Sequence, residues 1–451
     1  MRRFLVVLAV VACLAAGKPK TVTFSEDIAP IVFNNCASCH RPGEAGPFPL
    51  MSYQEVKKRG LLIASVTQSR YMPPWHAALG YGDFIGEHRL TDEQIATIKQ
   101  WVDTGMTQGD PKKLPAVPKF TEGWQLGKPD LVVTMPQPFE LPASGPDIYR
   151  NFTIPMSIPE NKWVKAVEYR PSARKAVHHA LFFLDTTGTS RKHDGEGGKP
   201  GYNGGLDGTR FAKSGRLGGW AVGGNPHFLP GGLAIPLYKD SDFVLQVHFH
   251  LSGKPETEQS TIGIYFADKA PERMITPVQL PPVFGLGAGI DIPAGDKAFQ
   301  IKDSFTLPID IEGLQVGGHA HYLAKDMQMT ATLPDGSKKW LLWIKDWDFS
   351  WQDQYQYKDP VLLPKGTRID VAITYDNSAD NPHNPSSPPK RVQWGEQSFD
   401  EMGSITLQAV PVRQSEYRIL TAALQQKRAG AIRTALMSGM GPLLRRLSPP
   451  E

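Results

Sequence analysis

The chain has 451 residues and a formal charge of +4. That length exceeds what one hydrophobic core serves, so several domains are expected, and so small a charge excludes the basic footprint of a nucleic-acid binder. The composition (40% hydrophobic, 21% charged, Gly 43, Pro 40) is that of a water-soluble, turn-rich protein, and three cysteines are too few for a disulfide scaffold.

Met1-Arg2-Arg3 and the apolar run from Phe4 to Ala16 have the charged and apolar regions of an export signal. The run is too short for an ordinary bilayer-spanning helix. Ala15 and Gly17 place a small-x-small cleavage pattern at the end of a signal covering residues 1–17, so a periplasmic or secreted protein is expected. Val11-Ala12-Cys13 offers a lipoprotein-type processing site as the lesser alternative. The mature chain then keeps only Cys36 and Cys39, so no disulfides are expected to hold its fold.

Residues 20–110 read as a small helical unit. Ser25-Glu26-Asp27 has the polar start of a helix running through Ile28, Ile31 and Val32, and Thr91-Asp92-Glu93-Gln94 opens a second one. In the second helix Ile95, Ile98, Trp101 and Val102 recur at three- and four-residue spacing, and Gly105 ends it. Between the two lies Cys36-Ala-Ser-Cys39-His40, the C-x-x-C-H signature of covalent c-type haem attachment, in which the thiols form thioethers and the histidine is the proximal iron ligand. No second cysteine pair is present to complete a zinc site. For the other face of the iron, Tyr71-Met72-Pro73-Pro74-Trp75 can present the Met72 sulfur from an extended loop, with His76, His88 and Met106 as alternatives. Two helices flanking a haem loop resemble the class I cytochromes c, which implies one covalent haem c serving electron transfer.

Residues 111–128 are proline-rich without a period and read as a linker. From 129 to 413 the pattern becomes short alternating or β-branched runs, among them Leu131 to Thr134, Phe243 to Phe249, Thr261 to Phe266, Arg368 to Thr374 and Ile405 to Val410. This region is long enough for two all-β sandwiches, 129–270 and 271–413. Residues 194–224 are glycine-rich and read as an extended loop. The basic stretch 414–451 reads as a helix docked on a sandwich or a frayed tail. Membrane contact through it, or through a lipid anchor, is the lesser alternative.

Six of the 12 histidines fall in three doublets of the β region: His178-His179, His248-Phe249-His250 and His319-Ala320-His321. Residues i and i+2 of a strand share a face, so each H-x-H pair can aim two imidazoles at one point. The adjacent pair needs a bulge or irregular strand to converge. Imidazole-rich sites suit copper or zinc.

Val177-His178-His179-Ala180, Phe243 to His248, His319 to Lys325 and Asp400-Glu401-Met402 resemble, in order, the ligand segments of the ascorbate-dependent type 2 copper monooxygenases, over about 150 to 412. The resemblance implies two jelly-roll-like sandwich domains with one copper each. It assigns His178, His179 and His248 to an electron-transfer copper, and His319, His321 and Met402 to the copper where dioxygen binds. His250 has no equivalent in the match, although it shares a strand face with His248. His227 is a weaker candidate, expected in a surface loop. The family's peptide-acting member holds its substrate carboxylate with an arginine and a tyrosine where this chain has Gly317 and Thr406, which argues against a glycine-extended peptide substrate.

The expected protein is therefore multidomain. A small all-α cytochrome c domain precedes two all-β sandwiches and a C-terminal helix. It is expected to be an exported haem–copper monooxygenase that uses dioxygen on a small organic substrate, with electrons from the haem, a small reductant or a redox partner protein. The alternatives are a non-catalytic electron-transfer or copper-binding protein, or a carbohydrate-binding sandwich with histidines as surface polar residues.

Overall fold

The computed structural model describes residues 21–44, 46–120, 123–204, 215–221, 224 and 226–438. The expected export signal, the Cys13 pattern and the end of the tail lie outside them. The chain is mostly β-strand in several sheets, with a few helices near its start and one at its C-terminal end. No helix among the described residues is long and apolar enough to cross a membrane. The residues divide into two compact units.

The first unit comprises residues up to Pro42, Phe48–Pro73 and Leu90–Pro118. A π-helical turn, Phe24–Ile28, leads into the helix Ala29–Asn35. The cap is Thr23 rather than the expected Ser25 to Asp27. Its hydroxyl accepts from the Glu26 N–H at 3.4 Å, and its own N–H donates to the Asp27 carboxylate at 2.9 Å. The helix Asp92–Asp103 begins on a capping box in which Thr91 accepts from the Gln94 N–H at 3.1 Å and Gln94 accepts from the Thr91 N–H at 2.9 Å. Phe24, Ile28, Val32, Ile98 and Trp101 form the core of this unit together with residues of Tyr53–Lys58 and Gly60–Gln68.

The second unit contains residues 43–47, 74–89 and everything from Lys119 onward. Residues 74–89 lie along the strands Lys338–Ile344 and Gln354–Leu363, with bridges Ala77↔Ile344 and Phe84↔Tyr357.

Two apolar cores organise this unit. Around the first, one sheet runs in the order Leu131–Thr134, Thr261–Phe266, Lys162–Arg170, Ile235–Leu237. The facing sheet runs Tyr202–Asn203, Ile148–Pro155, Asp242–Phe249, Val177–Asp185, Arg216–Ala221, so the glycine-rich segment supplies two short strands to it. Val164, Ile262 and Ile264 meet Phe182, Phe243 and Leu245 between the sheets. Around the second core, Thr276–Leu280, Gly403–Pro411, Ile311–Ala320 and Gln354–Leu363 face Phe299–Thr306, Arg368–Tyr375, Ala324–Thr332 and Lys338–Ile344. Val316 and Leu407 meet Met329, Leu342 and Ile373 there. The C-terminal helix Tyr417–Met437 docks on this core through Leu420 and Ala435, and Lys427 pairs with Asp303 at 2.7 Å.

Candidate functional site

His178 and His179 lie at the start of the strand Val177–Asp185, and His248 near the end of its neighbour Asp242–Phe249. Val177 pairs with Phe249 and His179 with His248, so His178 is the extra residue of a bulge. The bulge turns two consecutive side chains to one place, which a regular strand forbids. The Nδ1 atoms of His178 and His179 lie 3.1 Å apart, and those of His179 and His248 lie 3.4 Å apart. Among the described residues, these three form the one group of three or more His, Cys, Asp or Glu side chains whose ligand atoms all lie within 4.8 Å of one another. Three nitrogens so close, none of them bound to a carboxylate, fit a small cation that prefers imidazole.

Asp147 settles how His248 is held. One carboxylate oxygen lies 2.9 Å from His248 Nε2 and the other 3.0 Å from His250 Nδ1. His248 therefore donates through Nε2 and leaves Nδ1 as the lone pair facing its partners. His250, exposed at 68%, stands outside the group as a second donor to the same carboxylate. Burial pushes Asp147 upward, but the hydrogen bonds and charges of His248 and His250 outweigh it and hold the carboxyl below its ordinary range. Tyr149, paired with His248 across the sheet, stacks on that imidazole at 4.2 Å and 7°.

The third doublet lies in the second sandwich, at the end of the strand Ile311–Ala320. His319 places Nδ1 2.6 Å from Gln352 Oε1 and so keeps Nε2 for another partner, whereas His321 places Nδ1 3.2 Å from the Asp400 carbonyl and also meets the Gln397 backbone. The neighbouring strand pairs His319 with Ser404 and, as the last pair of the ladder, Ala320 with Gly403, and Met402 directly precedes that strand. Met402 is buried within the second core. Glu401, fully buried, accepts from the N–H groups of His321 at 2.5 Å, Met402 at 2.8 Å and Leu323 at 2.9 Å. One carboxylate thus ties the His321 turn to the Met402 strand, and burial pushes it up to about 8 despite these donors. Phe284 turns its ring edge to His319 at 4.9 Å from a turn in which Val283 and Phe284 both have positive φ, 52° and 53°. Strain of this kind is kept where surrounding contacts hold it.

Burial keeps these imidazoles neutral. It pushes His178 and His321 down to about 3 and His319 to about 4, with neighbouring histidines adding to the effect at His178 and His321. His179 and His248 shift the same way for the same first cause. Neutral imidazoles offer lone pairs, as metal ligation requires.

In the first unit, Cys36 and Cys39 are not joined in a disulfide, both are half-buried, and burial with the neighbouring Cys39 pushes Cys36 up to about 12. His40 Nδ1 lies 3.0 Å from the Phe48 carbonyl, which fixes the ring and leaves Nε2 available, the arrangement an axial haem histidine needs. Met72 is half-buried in the same unit. Met106 packs its sulfur against Gly60 inside the helical core, whereas His76 and His88 belong to the β unit, where His76 Nδ1 meets the Asp346 carbonyl at 3.0 Å. His227 is exposed, outside any strand or helix.

Sequence reasoning did not reach Asp147, Tyr149, Phe284, Phe349 or Gln352. None of them stands at a diagnostic spacing from the histidines it touches.

No known family's sequence profile matches the chain, and no curated protein is similar to it. Among solved structures it resembles the major capsid protein P2 of bacteriophage PM2, with 10% identity over 59% of this chain and 97% of that chain and a TM-score of 0.23. The VP2 subviral particle of infectious bursal disease virus gives 11% identity, 64% and 72% coverage and a TM-score of 0.16. PNGF-II gives 13% identity, 65% and 63% coverage and a TM-score of 0.21. Likenesses this slight carry no argument about fold or function.

Proposed function

We propose that this protein is an exported haem–copper monooxygenase that hydroxylates a C–H bond of a small organic substrate with dioxygen, electrons entering through a fused cytochrome c domain. The observation that carries the reading is the convergence of the His178, His179 and His248 Nδ1 atoms. Copper held there and at His319, His321 and Met402 would supply one-electron chemistry and dioxygen activation. The reaction consumes two electrons and two protons per substrate, leaving one oxygen atom in the product and one in water, with the haem, a small reductant or a redox partner protein as donor. Asp147 and Glu401 hold the two histidine groups in place, while Cys36, Cys39, His40 and Met72 would attach and ligate the single haem c. The sandwiches are read as jelly-roll-like copper domains. A glycine-extended peptide is not the proposed substrate, because Gly317 and Thr406 stand where the resembled family's arginine and tyrosine hold its carboxylate.

A second reading is favoured by one observation: the third doublet offers two imidazoles, and Met402 is packed in the apolar core. On that reading the protein carries haem and one copper for electron transfer and catalyses nothing. Metal and haem analysis of the mature protein separates the two. One haem with two coppers is expected, and one haem with a single copper would overturn the monooxygenase proposal. In Met402→Ile, oxygen consumption is expected to stop while the copper at the first group is retained.

A further inference from the structure

The loop 345–353, which joins the strand Lys338–Ile344 to Gln354–Leu363, belongs to the second sandwich yet reaches histidines of both. Its Phe349 is buried, with 5% exposure. The ring lies 5.4 Å from His178 at 23°, 5.8 Å from His248 at 50°, and 5.7 Å from His321 at 81°. At such spacings an aromatic ring is in contact with each neighbour, stacked on one imidazole and edge-on to another. The two histidine groups are therefore separated by no more than two ring contacts in series, and the space between them is occupied by a side chain.

The rest of the loop holds that ring from several sides. Gln352 bonds His319 Nδ1 with its oxygen and donates from Nε2 to the Phe349 carbonyl at 3.3 Å. Trp347 Nε1 donates to the His321 carbonyl at 3.1 Å, and the Trp347 N–H to the Lys325 carbonyl at 2.8 Å. The Ser350 N–H is tied to the Asp348 carboxylate at 2.8 Å, and the Ser350 backbone meets His178. Tyr322, the residue after His321, packs on Phe349 at 4.5 Å. A loop with no other task would not need to touch four of the five clustered imidazoles.

We propose that Phe349 is a positioning residue that holds the two histidine groups at one fixed separation and fills the space between them. This rests on the reading that both groups hold copper. Neither the sequence resemblance nor any spacing marked this residue.

The test uses the full-length protein loaded with Cu(II), and its readout is dipolar broadening and the half-field signal in continuous-wave EPR, which report the separation of two cupric centres. The wild-type protein is expected to give one well-defined dipolar pattern. In Phe349→Ala the pattern should weaken and spread, and in Phe349→Leu, which keeps most of the volume, it should be intermediate. A Phe349→Ala protein with the wild-type pattern overturns the proposal, because a merely structural role would change stability without changing the separation.

Uptake of a single copper would instead count against the monooxygenase reading. The positioning role is then read on metal-free protein by diethyl pyrocarbonate labelling with peptide mass spectrometry. His178, His248 and His321 are expected to react several-fold faster in Phe349→Ala than in wild type and Phe349→Leu, and equal rates would overturn the proposal.

Discussion

Asp147 shows how much of a metal site is made by residues that never touch the metal. Its carboxylate fixes the His248 tautomer, so the nitrogen presented to His178 and His179 is Nδ1 and the ring cannot turn away. Removing such an outer partner weakens metal binding by roughly 10- to 100-fold. Asp147→Ala is therefore expected to lower copper affinity at this group by that amount, measured by competition with a chromogenic Cu(I) chelator. Asp147→Asn should lose less, because the amide oxygen still accepts from Nε2. His250→Ala should stay near wild type, since His250 is exposed and meets the other carboxylate oxygen. Wild-type affinity in Asp147→Ala would show that sheet packing alone orients His248. The histidines could be read from their doublets, whereas Asp147 could not: it lies 31 residues before His178, just ahead of the strand Ile148–Pro155, and only the pairing of that strand with Asp242–Phe249 brings it there.

At the level of elements, alternating runs located strands well because one face of each is buried and the period is two. Leu131–Thr134 and Thr261–Phe266 have the bounds expected, and Asp242–Phe249, Arg368–Tyr375 and Gly403–Pro411 extend theirs by one to three residues. The bulge at His178 was legible as a requirement of two adjacent ligands. What escaped were features set by tertiary contact: the packing of residues 74–89 in the β unit, the loop 345–353, and the strands within the glycine-rich segment. Gly403 is one such feature, since a Cβ there would clash with Tyr375 Oη, which donates to the Met402 carbonyl at 3.0 Å. Gly403→Ala should destabilise the protein by about 1–3 kcal/mol through overpacking, as seen by thermal or denaturant unfolding. In a Tyr375→Phe background, where the hydroxyl is gone, the same substitution should cost less. Additive losses in the double mutant would mean that the clash lies elsewhere.

For the whole molecule, the clustered imidazoles link folding to pH. Each has an ordinary value of 6.5, whereas burial brings His178 and His321 to about 3 and His319 to about 4 in the folded chain. As pH falls below 6.5 the unfolded chain binds protons that the folded chain refuses. Stability contributed by these groups is therefore complete above 6.5 and is lost as pH falls from there towards 3 to 4. Glu401 and Asp353 act in the opposite sense, because burial raises their carboxyls to about 8 and about 6, and the folded chain takes those protons first. His178, His179, His319 and His321 together outweigh these two, so metal-free protein should melt at progressively lower temperature between pH 6.5 and 4, followed by calorimetry. The sharper comparison is with His321→Gln, which cannot titrate. Its melting temperature should depend less steeply on pH in that window, whatever its absolute stability, and an unchanged slope would show that His321 gains its proton in the folded and unfolded chains alike. Copper bound to neutral imidazoles should hold the loaded protein's melting temperature up further into acid than that of the metal-free form, because protons must then compete with the metal as well as with burial.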